Sequence, residues 1–148
     1  MPAHHTATVT AELELALVAP DGQGLPVAAV LRYEAVDPYA VRLGFHTGVD
    51  EIVEWTFARQ LLTDGVTARV GEGDVQVWPS NGTATDVAEA AVCLSLCSPS
   101  GAALFEAALN AVVEFLSRTY CAVPVGSESD FIDVDAELAL LLWTGATE

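Results

Sequence analysis

The sequence predicts an α+β domain in which about seven mainly antiparallel strands come first and C-terminal helices packed on the sheet come last. Three observations carry that expectation. Apolar and polar residues alternate with period two through the first half of the chain. Gly, Asp and Pro interrupt those runs at short intervals. After Ser98 the apolar residues recur at helical spacing instead.

Between Thr6 and Leu17 the odd positions are Ala7, Val9, Ala11, Leu13, Leu15 and Leu17, with threonine and glutamate at most even ones, the pattern of a strand with one buried face. A turn at Asp21–Gly24 leads to a second run (Leu25, Val27, Ala29, Leu31, Tyr33). Asp37–Pro38 separates it from a third (Tyr39, Val41, Leu43, Phe45), and short connections make the three a meander. Ile52–Phe57 is the fourth strand, with Val53, Trp55 and Phe57 on one face. Ala58–Thr63 reads as a short helix stopped near Gly65. Val66–Val70 and Asp74–Trp78 read as two short strands joined through Gly71, Glu72 and Gly73. Pro79–Asp86 is polar and turn-rich, a mobile loop. Val87–Cys97 is the last strand, apolar on both faces. Ser98 or Ser100 is placed to cap a long amphipathic helix that aligns Phe105, Leu109, Val112 and Leu116 opposite Glu106, Asn110, Glu114 and Arg118. Ala122–Asp130 is a linker, and a final helix starts at Asp133 or Asp135 and runs to Trp143. No internal repeat is evident.

With 148 residues, 52% of them apolar, the chain is suited to one core, expected over residues 6–145 behind a flexible tail of residues 1–5. Net charge is −16, from 21 acidic residues against five arginines and no lysine. Five dispersed cations build at most a small basic patch, which argues against nucleic acid and against an anionic membrane surface. The first ten residues lack the charge-then-apolar pattern of a secretory signal, and no stretch approaches the roughly 20 apolar residues of a membrane span. Three cysteines, Cys93, Cys97 and Cys121, suit a reducing cytoplasm. Cys93 and Cys97 cannot pair along one strand, where four residues separate their Cα atoms by about 13 Å.

Chemistry-bearing residues are sparse. His4 and His5 fall in the tail, and His46 ends a strand on its polar face, so a hydrolytic triad lacks its parts. Cys-Leu-Ser-Leu-Cys has three residues between its cysteines and no second pair, against the ligand sets of structural zinc. Carboxylate pairs such as Asp50 and Glu51 are too common here to signify. Gly71 and Gly73 lack the lysine of a P-loop and the third glycine of a dinucleotide fingerprint. No catalytic residue, metal or cofactor is expected. Tyr33, Tyr39 and Trp55 fall on apolar strand faces and read as core, not as base-stacking platforms. Trp78 faces away from Val75 and Val77. Leu138, Leu141, Leu142 and Trp143 belong to a segment apolar all round. These five residues are the candidate protein interface, and docking of the last segment on its own sheet is the competing reading.

Four segments taken together, DPYAVRLGFHTG (37–48), VEWTFARQLLTDG (53–65), GDVQVWPS (73–80) and CLSLCSPSGAALFEAAL (93–109), resemble the SsgA-like proteins of sporulating actinobacteria, most of all the SsgB branch. The resemblance spans about Thr6 to Trp143. It implies a non-enzymatic regulator of sporulation-specific division that localises to future septum sites with the help of SsgA, recruits the tubulin-like FtsZ and promotes its assembly. It also implies a homotrimer with a fold like the Whirly proteins. Those relatives bind single-stranded nucleic acid, which is the alternative function; the net charge of −16 opposes it. An enzyme using His46 and neighbouring carboxylates is the third possibility, and nothing names a substrate for it.

Overall fold

In the computed structural model, residues 7–46, 51–71, 73–80, 90–99 and 101–131 are described. The strands are β1 (Thr8–Val18), β2 (Gly24–Glu34), β3 (Ala40–His46), β4 (Ile52–Ala58), β5 (Val75–Ser80), β6 (Ala91–Ser98) and β7 (Gly101–Ala108). The helices are α1 (Arg59–Gly65), α2 (Leu109–Ala122) and a 3-10 turn, α3 (Glu128–Phe131). All strands form one antiparallel sheet in the order β4-β3-β2-β1-β7-β6-β5.

The first four strands follow the alternation. In β1, Val9 and Leu15 are buried while Thr8, Thr10, Glu12 and Glu14 are exposed, and β1 pairs with β2 along its whole length. Tyr39 departs from expectation. It lies just ahead of β3 and is 52% exposed, because its carbonyl, not its ring, is held inside, accepting the Arg59 backbone N–H at 2.8 Å. Trp55 is partly buried against the core, and Tyr33 is fully buried.

Two sequence expectations are corrected, and they compensate in number. Val66–Val70 is not a strand: only Val70 forms an isolated bridge, to Val77, as a strap along β5. Gly101–Ala108 is a strand and not the first turns of a helix. Ser98 pairs with Gly101 across a tight hairpin and its hydroxyl reaches the Gly101 carbonyl, so it caps no helix. The Ser-Pro-Ser-Gly sequence carries the turn chemistry, with Pro second and Gly fourth. α2 therefore begins at Leu109, with Ala108 as its N-cap. The segments 81–86, 87–89 and 132–143 lie outside the described residues.

Both helices start the same way. β4 runs into α1 through Ala58 and β7 runs into α2 through Ala108, each alanine extended and without a side-chain cap. The missing cap is replaced by backbone: Arg59 N–H bonds Tyr39 O and Leu109 N–H bonds Ala90 O, carbonyls that precede the neighbouring strand. Alanine also faces alanine at the end of each ladder, Ala40 with Ala58 and Ala91 with Ala108. The hairpin-then-helix unit thus occurs twice, although no sequence repeat announces it.

The sheet is curled. Phe45 on β3 and Phe105 on β7 lie three strands apart, about 14 Å if flat, yet their ring centroids are 5.0 Å apart. α1 packs against both edge strands, β4 and β5, and α2 covers β1, β6 and β7. Leu15, Tyr33, Leu43, Val77, Val92, Phe105, Val112 and Phe115 meet in one core.

Candidate interaction surface

Arg59 is the centre of the polar structure. It follows β4 directly, and its side chain is 2% exposed. One guanidinium nitrogen donates to the carbonyls of Thr119 (3.1 Å), which also accepts the Val123 N–H, and Val123 (2.8 Å), just past the end of α2. The other donates to the Glu128 carboxylate at 2.9 Å. The guanidinium also stacks on Tyr120 and Tyr33, 4.0 and 4.8 Å from their ring centres. Burial works to raise the Glu128 carboxyl, but its own backbone N–H, Arg59 and the Gly126 N–H outweigh that and hold it below its usual value. One residue thereby joins β2, α1, α2 and α3. The sequence shows Arg59 only as one of five arginines, since the hydrogen-bond partners of its side chain lie 60 or more positions away.

Tyr33 donates its hydroxyl to Pro38 O at 2.9 Å. Burial pushes its pKa from 10.0 to about 12, partly opposed by the Arg59 charge and assisted by Glu128. Between those values an unfolded chain loses the phenolic proton and the folded one keeps it, so stability is full below pH 10 and falls as pH rises through about 12. Two units correspond to about 3 kcal/mol. Denaturant titrations from pH 9 to 12 are expected to show this decline, and Tyr33→Phe to flatten it by about that amount; an unchanged slope in the variant contradicts the assignment.

Glu106 was expected on the polar side of a helix. It is instead 4% exposed on β7, with Ser80 Oγ at 3.4 Å and Cys93 Sγ at 3.8 Å from its carboxylate. Burial raises the Cys93 pKa, a hydrogen bond with Ser80 lowers it, and the Glu106 charge raises it again. The net effect keeps the thiol protonated, the opposite of what a nucleophile or metal ligand requires. His46 is exposed at the end of β3. Among the described residues no group of three or more His, Cys, Asp or Glu is arranged to hold a metal ion, and no helix is long and apolar enough to cross a membrane.

Two surface features suit protein contacts. Trp78 is half-buried on the edge strand β5, with the Arg69 guanidinium 4.2 Å from its ring centre and Arg69 bonded to Gln76 at 3.0 Å. An open groove of about 360 Å³ runs between α1 and α2, and its lining includes Thr63, Val66, Val113, Leu116, Tyr120 and Cys121. Val113 is 43% exposed there. Leu138, Leu141, Leu142 and Trp143 lie outside the described residues, so only Trp78 of the five interface candidates is placed.

A family described as "Streptomyces sporulation and cell division protein, SsgA" matches residues 27–128. The sporulation-specific cell division protein SsgB of Frankia casuarinae is 62% identical over 138 residues, 93% of this chain and 94% of the relative. SsgB of Streptomyces coelicolor is 50% identical over 135 residues, covering 91% and 96% of the two chains. The crystal structure of an SsgA-like sporulation-specific cell division protein from Thermobifida fusca superposes with a TM-score of 0.80 at 48% identity, covering 94% of this chain and 98% of that one. Matches of this extent, over a sheet and helices shared with the solved relative, establish that the chain belongs to the SsgA family of sporulation and cell-division proteins.

Proposed function

We propose that this protein is a non-enzymatic adaptor of sporulation-specific septation, acting in the cytoplasm at the division site. It recruits FtsZ to future septum sites and promotes its assembly there, as a homotrimer and with an SsgA paralogue as a further partner. The observation that carries this reading is the 62% identity to an SsgB over nearly the whole chain. The charge distribution supports protein over nucleic acid as the partner. Of five arginines, Arg42 is paired with Glu34 and Asp37 and Arg59 is buried, which leaves Arg32, Arg69 and Arg118 to face a polyanion against 21 acidic residues.

Trp78 is the partner-facing residue in this proposal, since tryptophan on an edge strand offers large contact area at little entropic cost. Co-sedimentation with FtsZ polymers at micromolar protein is expected to enrich the chain in the pellet, and Trp78→Ala to weaken that by at least about tenfold, roughly 1.4 kcal/mol. No enrichment of the wild-type chain sinks the FtsZ reading; enrichment that Trp78→Ala leaves intact moves the interface elsewhere. Light scattering distinguishes the trimer from a 15.5 kDa monomer.

A further inference from the structure

We propose that the outer face of β2 and β3 docks an extended segment of a partner protein that carries a carboxylate two residues from an aromatic ring. Two independent observations support this, a pair of like charges and a missing side chain. Arg32 on β2 stands opposite Arg42 on β3, with Thr10 and Thr56 at the ends of the same row across β1 to β4. Like charges directly opposite each other repel, yet a chain with five arginines and 21 acidic residues sets two arginines in this way. The acid best placed to compensate is already engaged. Glu34, two residues beyond Arg32 on the same face, bonds Arg42 at 2.8 Å, and Asp37 takes the other guanidinium nitrogen at 3.3 Å. Arg32 is left exposed and in no ion pair among the described residues. A partner's carboxylate placed here accepts from the Arg32 fork and offsets the repulsion from Arg42.

Gly44 supplies the ring's place. It follows Arg42 by two residues and faces the same side, since Val41, Leu43 and Phe45 take the core side of β3. Nothing within the chain requires glycine there: its φ is not positive, and a Cβ would meet only Ile52 Cγ2 at 3.9 Å and Val53 O at 4.0 Å, ordinary contacts. Glycine weakens a strand interior and marks places where another group comes close. The slot is bordered by Val30 on β2 and by Ile52, 67% exposed, on β4. A partner's ring laid on it covers Ile52 and fills the space of the missing side chain. Successive residues on one face of a strand are about 7 Å apart, so a segment lying along β3 reaches the arginine row and the glycine row with residues two apart. Glu34 on one side of the arginine row and Glu12 and Glu54 on the other admit a single carboxylate and repel a run of phosphates, which favours a protein over nucleic acid. Trp78, on β5, lies four strands from β2, so this surface is separate from it.

The test is an amide NMR titration of the full, isotope-labelled chain at low ionic strength with the peptide acetyl-Ser-Asp-Ser-Phe-Ser-amide, taken to about 5 mM. Shifts are expected at Thr10, Arg32, Arg42, Gly44 and Thr56, and none there with lysine in place of the aspartate. Arg32→Glu is expected to weaken the aspartate peptide at least about fivefold, the worth of one exposed ion pair. Gly44→Val is expected to weaken it comparably while its urea midpoint stays at or above that of the wild type, because a β-branched side chain suits a strand and enters open space. Arg118→Glu, the same charge change on an exposed residue of α2, is expected to alter the affinity by less than about twofold. Absence of shifts on this face, an equal response to the lysine peptide, or equal weakening by Arg118→Glu overturns the proposal. So does undiminished binding by folded Arg32→Glu or Gly44→Val; should Gly44→Val lower the midpoint, Gly44→Ala replaces it under the same criterion. Shifts of these residues with oligothymidylate but not with the aspartate peptide overturn it in favour of nucleic acid.

Discussion

Arg59→Ala is expected to lower the free energy of unfolding by about 3–5 kcal/mol, read from urea denaturation near pH 7. The substitution leaves the Glu128 carboxylate, whose side chain is 14% exposed, without its cation, and it strips the guanidinium from the Thr119 and Val123 carbonyls. Removing one partner of a buried pair costs more than the pair itself contributes, because the remaining charge stays desolvated. The stacking on Tyr33 and Tyr120 is lost as well. Arg59→Lys restores charge but not the flat fork that serves two carbonyls and a carboxylate at once, so only partial recovery is expected. A loss below about 1 kcal/mol for the alanine variant would show that α2 and α3 are anchored by apolar packing alone.

Gly65→Ala is expected to destabilise by about 1–3 kcal/mol, against the usual gain of about 1 kcal/mol for alanine in a helix. Gly65 is buried in the last turn of α1, and a Cβ there would stand 2.5 Å from the Val77 Cβ on β5. A rotamer change of Val77 does not help, since Cβ does not move with χ1. The helix would have to lift from the edge strand at the point where the Val70–Val77 bridge straps it. The check is a double-mutant cycle with Val77→Gly, which removes the opposing Cβ. The pair should cost less than the sum of the single changes by at least about 1 kcal/mol, whereas strict additivity would place the strain elsewhere.

Legibility in the sequence followed exposure. β1 and β4 keep one polar face, so Thr10, Glu12 and Glu14, or Glu54 and Thr56, mark their period directly, while in β2 and β3 the buried residues Ala29, Leu31 and Tyr33, or Val41, Leu43 and Phe45, carry it. β7 has no such face: Phe105, Glu106 and Ala107 are all buried, because β7 lies inside the sheet and beneath α2. A strand covered on both sides loses its alternation, and Phe105, Leu109, Val112 and Leu116 then fit a helix equally well. The turn chemistry of Ser-Pro-Ser-Gly was the available signal. Val66–Val70 shows the reverse error, where an apolar period was present but only Val70 found a bridge partner.

By itself the sequence determined the strand-first, helix-last order, the faces of the first four strands, an acidic surface poor in cations, and the resemblance that family membership now establishes. These are local properties, written in spacing and composition. Only the tertiary structure decided the curl that brings Phe45 to Phe105, the twice-used hairpin-to-helix unit, the burial of Glu106 and the place of Arg59. Each of those depends on residues tens of positions apart meeting across the curled sheet, and a pair so separated leaves no periodic trace in the chain that carries it.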